Sequence, residues 1–171
     1  MTFSLLGRCA TSGAFGMVVS SSSTAVAARC AYARAGVGAV ASQNITDPRL
    51  GPQGLDLLAG GMSASEALER LVTTAPHAEY RQIALLDREG RGAAHSGART
   101  LGTHAAASGT DCVAAGNLLA DTGVPAAMVA AFEGGADEPL GDRLVGALRA
   151  GLAAGGEAGP VHSAGLLMVK A

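Results

Sequence analysis

The chain opens Met1-Thr2-Phe3-Ser4-Leu5-Leu6. Phe3 and Leu5 alternate with Ser4, the period-two pattern of a half-buried strand that starts almost at the first residue. Chain ends fray unless they are tied into a sheet, so this pattern predicts a terminus held in place. If Met1 is removed, Thr2 carries its own α-amine beside its hydroxyl, a nucleophile and a base in one residue. An α-amine titrates near ~8, is substantially neutral at cellular pH and can take the hydroxyl proton. The plainer reading of the same residues is an ordinary Met-Thr start.

Working outward, Thr11-Ser12-Gly13 is a turn and 15–21 (FGMVVSS) a second strand, so the chain begins with an antiparallel hairpin. The alanine-rich segment 22–34 reads as an irregular excursion, and 36–43 (GVGAVASQ) as a third strand with glycines where backbones approach. Asp47-Pro48 starts a helix that ends at Gly60-Gly61. Ser63-Ala64-Ser65-Glu66 is a capping box before Ala67, Leu68, Leu71 and Val72, so two helices form a hairpin. Strands return at 80–87, 91–96 and 110–116. Helices follow at about 124–133 and 139–154, behind Pro125 and Pro139, and a last strand spans 163–169. Grouped runs of strands and helices predict a mixed α+β domain, and two helical pairs covering stacked sheets would make a four-layer αββα sandwich. No Gly/Ser linker or charge run divides the chain, so residues 1–171 read as one domain. Ala39–Asn44 and Cys112–Asn117 echo one another as apolar strands ending in asparagine, the residue favoured at strand-to-helix caps.

Composition narrows the function classes. Hydrophobic residues make up 49% of the 171 and charged residues 15%, well below the ~25% usual for globular domains. With 25 glycines, no tryptophan and only three Phe and two Tyr, the core must close through small side chains and close backbone approach. The sparse surface charge points to a homo-oligomer. Net charge is −2 from twelve basic and fourteen acidic residues, scattered singly, without the basic stripe or aromatic platform that nucleic acid requires. No stretch is apolar enough to span a bilayer, and the N-terminus lacks the pattern of a secretory signal. Cys9, Cys30 and Cys112 show no C-x-x-C pair and read as buried thiols of a reduced cytoplasm. The expectation is a cytoplasmic bacterial protein.

The residues Thr2-Phe3-Ser4, Ala35–Asn44, Asp47-Pro48-Arg49-Leu50-Gly51, Arg81-Gln82 before a strand ending in Asp87, Gly116-Asn117-Leu118-Leu119-Ala120 and Ser163–Leu167 together resemble one bacterial family, the domain of unknown function 1028. The resemblance runs through the whole chain in order. It implies the αββα fold of the N-terminal nucleophile (Ntn) hydrolases and places Thr2 where that fold carries its nucleophile.

Asn44 and Asn117, at the ends of two strands, are candidate oxyanion-hole donors, since a neutral amide can donate to a developing alkoxide; the competing reading is that both cap turns. Gly116 lets a backbone approach closely and could offer its own N–H. Ser20 and Ser21 are candidates to line a pocket, against the ordinary reading of a serine run as loop. Arg29 is a carboxylate clamp for substrate or a solvent-facing charge. His104, among small residues in a loop, is the candidate proton shuttle, against a solvent-facing histidine. The four histidines lack metal-ligand spacing, and neither a G-x-S-x-G elbow nor a phosphate loop is present. These features predict an amidohydrolase that cleaves a C–N bond of a small-molecule amide through Thr2, without metal or organic cofactor. The alternative is a non-catalytic small-molecule-binding or structural protein that keeps the fold with an inert Thr2.

Overall fold

Thr2–Arg8 (β1) is the central strand of a five-stranded sheet in the computed structural model, which describes residues 1–170. Its neighbours are Phe15–Ser21 (β2) on one side and Cys112–Asn117 (β8) on the other, with Ser163–Val169 (β9) and Ala105–Gly109 (β7) at the edges. A second sheet, ordered β3-β4-β5-β6, contains Ala31–Arg34, Gly38–Asn44, Arg81–Asp87 and Gly92–Ser96. Every pairing in both sheets is antiparallel. The fold is mixed α+β, with two antiparallel sheets and five helices among the described residues.

Alternation along β1 sorts its side chains between two cores. Phe3 and Leu5 join Val18, Met128, Phe132 and Leu144 in a cluster beneath Val124–Gly134 (α4) and Leu140–Ala153 (α5). Leu6 joins Met17, Val19, Ala39, Ala41, Ala84 and Leu86 in a second cluster between the sheets. A third cluster, Val40, Ile83 and Leu85 with Leu50, Leu55, Leu58 and Leu71, seats Leu50–Ala59 (α2) and Ala64–Thr74 (α3) on the second sheet. The small residues act as the composition implies. A Cβ on Gly7 would lie 2.5 Å from the Phe132 ring, and one on Gly16 2.5 Å from Leu144 Cδ1, so the helices rest directly on β1 and β2. Ser63 and Glu66 form the reciprocal capping box at α3.

Three local readings change. The first strand is buried on both faces rather than one, because the Ser4 hydroxyl, fully buried, donates to Gln43 Oε1 at 2.8 Å. Segment 22–34 contains a single helical turn, Ala27–Cys30 (α1), and then β3. α2 starts at Leu50 instead of Asp47, whose carboxylate accepts the Arg49 N–H at 3.1 Å ahead of the helix. The edge strand β7, Ala-Ala-Ala-Ser-Gly, has no apolar alternation to mark it and forms by pairing with β8. Cys30 and Cys112 are buried, and Cys9 only partly so.

Candidate active site at the start of the central strand

The register of β1 brings the ends of three strands together. Thr2 lies opposite Ser21 on β2 and opposite Asn117 on β8, and all three residues are buried. The Thr2 hydroxyl donates to the Met1 carbonyl at 2.6 Å and sits 3.1 Å from Ser21 Oγ. Ser21 Oγ donates to the same carbonyl. Two hydroxyls thus converge on the carbonyl that precedes the candidate nucleophile, and the Ser23 N–H fixes Ser21 by donating to its Oγ at 3.0 Å.

Beneath them lies a buried chain of amides from the facing sheet. Ser4 Oγ donates to Gln43, and Gln43 Nε2 donates to Gln82 Oε1 at 2.8 Å and to the Ala115 carbonyl at 3.2 Å. Gln82 Nε2 donates to the Gly116 carbonyl and to Ser96 Oγ, each at 2.9 Å. Asn117 Nδ2 donates to Gln82 Oε1 at 3.0 Å, whereas Asn117 Oδ1 is buried without a partner. Buried polar groups are ordinarily satisfied. Gln82 is saturated, with two bonds donated and two accepted, and it holds an Asn117 that keeps hydrogen-bonding capacity in reserve. Neither Gln43 nor Gln82 stood out as a site residue in the sequence. The available signal was a glutamine within an apolar strand, where an unpaired amide is costly.

The other candidates are dispersed. Asn44, at φ 71°, donates to the Tyr80 carbonyl at 2.6 Å and accepts from the Leu101 N–H at 3.3 Å, so its amide ties the end of β4 to two loops and is not brought to Thr2. Ser20 lies opposite Phe3 on the other face of the sheet, where the two border a cavity of about 290 Å³ lined also by Leu148, Leu152, Val161 and Ala164. Gly116 takes part through its carbonyl, the Gln82 acceptor. Arg29 donates to the Thr24 carbonyl at 2.8 Å. His104 is exposed, with Nδ1 3.0 Å from the Gly102 carbonyl. A larger cavity, about 540 Å³, lies away from Thr2 against α2 and α3, lined by Asp47, Arg49, Leu50 and Arg70 among others. Among the described residues no three His, Cys, Asp or Glu side chains converge as metal ligands, and no helix is long and apolar enough to cross a membrane.

The sequence matches, over residues 2–171, the family model described as a family of unknown function (DUF1028). The chain belongs to the DUF1028 family. A crystal structure of a DUF1028 protein from Silicibacter pomeroyi superposes on it with a TM-score of 0.92 at 28% identity, covering 99% of this chain and 73% of that one. No curated protein matches the sequence. One further residue of this DUF1028 chain adjoins the site from a loop that the sequence did not single out. Glu157, on the segment between α5 and β9, is only 6% exposed and pairs as an isolated bridge with Leu119, two residues beyond Asn117.

Proposed function

We propose that the chain is an N-terminal nucleophile amidohydrolase on a four-layer αββα sandwich, with Thr2 as nucleophile once Met1 has been removed. The observation that carries this reading is the convergence of the Thr2 and Ser21 hydroxyls on one carbonyl oxygen, with Thr2 Oγ1 at 2.6 Å, across the strand from Asn117, whose Nδ2 makes one of its two possible bonds. In the mechanism, Thr2 Oγ1 attacks the carbonyl carbon of a small amide and passes its proton to the Thr2 α-amine. The tetrahedral oxyanion accepts from the second Asn117 N–H and from Ser21 Oγ–H, donors of the kind worth ~10²–10³ each in rate. Collapse breaks the C–N bond, and the leaving amine takes the proton from the α-ammonium. Water, deprotonated by the same amine, then hydrolyses the ester on Thr2 and regenerates the hydroxyl. No step needs a metal or an organic cofactor.

Intact mass and peptide mapping after exposure to a β-lactone test this directly. Protein lacking Met1 is expected to gain one adduct, on Thr2, and Thr2→Ala to gain none. Protein lacking Met1 that leaves Thr2 unmodified would refute the mechanism. The second reading, a binder with an inert Thr2, is favoured by the apolar cavity beside Phe3 and Ser20, on the opposite face of β1 from the hydroxyls. A homo-oligomer fits either reading, since Leu152, Leu166 and Met168 are exposed together on the α5–β9 side.

A further inference from the structure

Glu157 is the one buried carboxylate of the described residues for which both oxygens lack a hydrogen-bond partner. A buried carboxylate without a hydrogen-bond partner is costly to keep, so a chain that retains one has placed it where something else is to meet it. Its loop is strapped at both ends to the residues that follow the site. The Ala120 N–H donates to the Gly156 carbonyl at 3.0 Å and the Ala158 N–H to the Leu118 carbonyl at 2.9 Å, just past Asn117. The His162 N–H donates to the Ser21 carbonyl at 2.9 Å, and His162 Nδ1 lies 2.8 Å from the Ser22 carbonyl. Between these straps the loop covers Met1, whose Cε is 2.5 Å from where a Cβ on Gly159 would sit. Burial is the largest influence on the Glu157 carboxyl and pushes it up.

Met1 therefore has the outline of an acyl group in this site, with its carbonyl on the Thr2 and Ser21 hydroxyls and its side chain against Gly159, two residues beyond Glu157 on the same loop. Removing Met1 vacates that volume next to Thr2, beneath the loop that carries the unpartnered carboxylate. We propose that Glu157 binds the α-ammonium of the substrate, and that the substrates are amides whose acyl part is an amino acid with a free amino group. The proposal rests on Thr2 as nucleophile. A free ammonium repays the buried charge with a charge-assisted hydrogen bond, and an N-acylated analogue leaves it unpaired.

The experiment uses protein lacking Met1, near pH 7, with L-methioninamide and N-acetyl-L-methioninamide, following ammonia release and, separately, binding by calorimetry. The wild type is expected to cleave the free-amino amide about 10- to 100-fold better in kcat/KM, the weight of one charged hydrogen bond. Glu157→Gln, which keeps the side chain's shape and removes the unpaired charge, is expected to fold and to abolish the preference. Equal cleavage of both amides by the wild type would overturn the proposal and leave the hydrolase reading standing. An equal loss on both amides in Glu157→Gln would overturn it as well and reassign Glu157 to the Thr2 amine. Binding of methioninamide that weakens in Glu157→Gln, without ammonia release, would keep the ammonium site and refute the hydrolase. Neither binding nor release would overturn both.

Discussion

Replacing Gln82 with leucine tests whether the amide chain beneath Thr2 holds the site together. Gln82 is fully buried and makes four hydrogen bonds, with Gln43, Asn117, Ser96 and the Gly116 carbonyl. Their losses differ in weight. Gln43 retains Ser4 and the Ala115 carbonyl, and Ser96 is partly exposed and can turn to water. Asn117 loses the only partner of its amide, and the Gly116 carbonyl loses its side-chain donor in a dry interior. Two buried groups left short at about 1–3 kcal/mol each, offset by about 1 for burying leucine, give a destabilisation of about 1–5 kcal/mol. For a domain of this size that is a fall of roughly 2–20 °C in melting temperature. Urea unfolding and calorimetry measure it, and β-lactone labelling of Thr2 in the still-folded variant is expected to slow because Asn117 is no longer held. A destabilisation under about 1 kcal/mol, with labelling unchanged, would refute the argument that the network is closed only by Gln82.

Other expected outcomes follow from the packing and the charges. Gly7→Ala drives a methyl into the Phe132 ring and should lose about 1–3 kcal/mol, most of it restored by Phe132→Leu on the same chain, as a double-mutant cycle would read. The Arg49 side chain holds the Asp47 carboxyl down at about 2, from an ordinary 3.8. Burial pushes Asp87 up, but the Ala64 and Arg91 N–H groups and the Arg91 guanidinium outweigh it and leave that carboxyl low as well. Both carboxyls are depressed in the fold, so their contribution is full above about pH 4 and is lost toward pH 2. Urea midpoints should fall across that window, and less steeply in Asp47→Asn and Asp87→Asn. Native-state alkylation should mark Cys9 first, because bonds from Ser12 lower its thiol, whereas burial raises Cys30 and pushes Cys112 up to about 12. Prior labelling of Cys112 in folded protein would contradict that burial.

The amino-acid order specified the elements with a local code. The capping box Ser63–Glu66 needs only residues three apart, and the apolar strand 163–169 and the Pro125 helix declare themselves by composition and punctuation. It also drew attention to Thr2 and Asn117, since a residue's chemistry and its place at a strand end can be read along the chain. The tertiary structure alone decided what stands beside them. Which strands flank β1, and in what register, sets Ser21 and Asn117 opposite Thr2, and no nearest-neighbour pattern encodes that pairing. The same sequence logic that drew Asn117 also drew Asn44, and only the positive φ of Asn44 and its bonds to Tyr80 and Leu101 separate their roles. β7 has no signal of its own and exists because β8 offers it an edge. Gln43, Gln82 and Glu157 read as ordinary polar residues until packing removes water from them. Desolvation is a property of the assembled interior, and it is what turns a side chain's hydrogen-bonding capacity into a constraint on structure or an opening for a ligand.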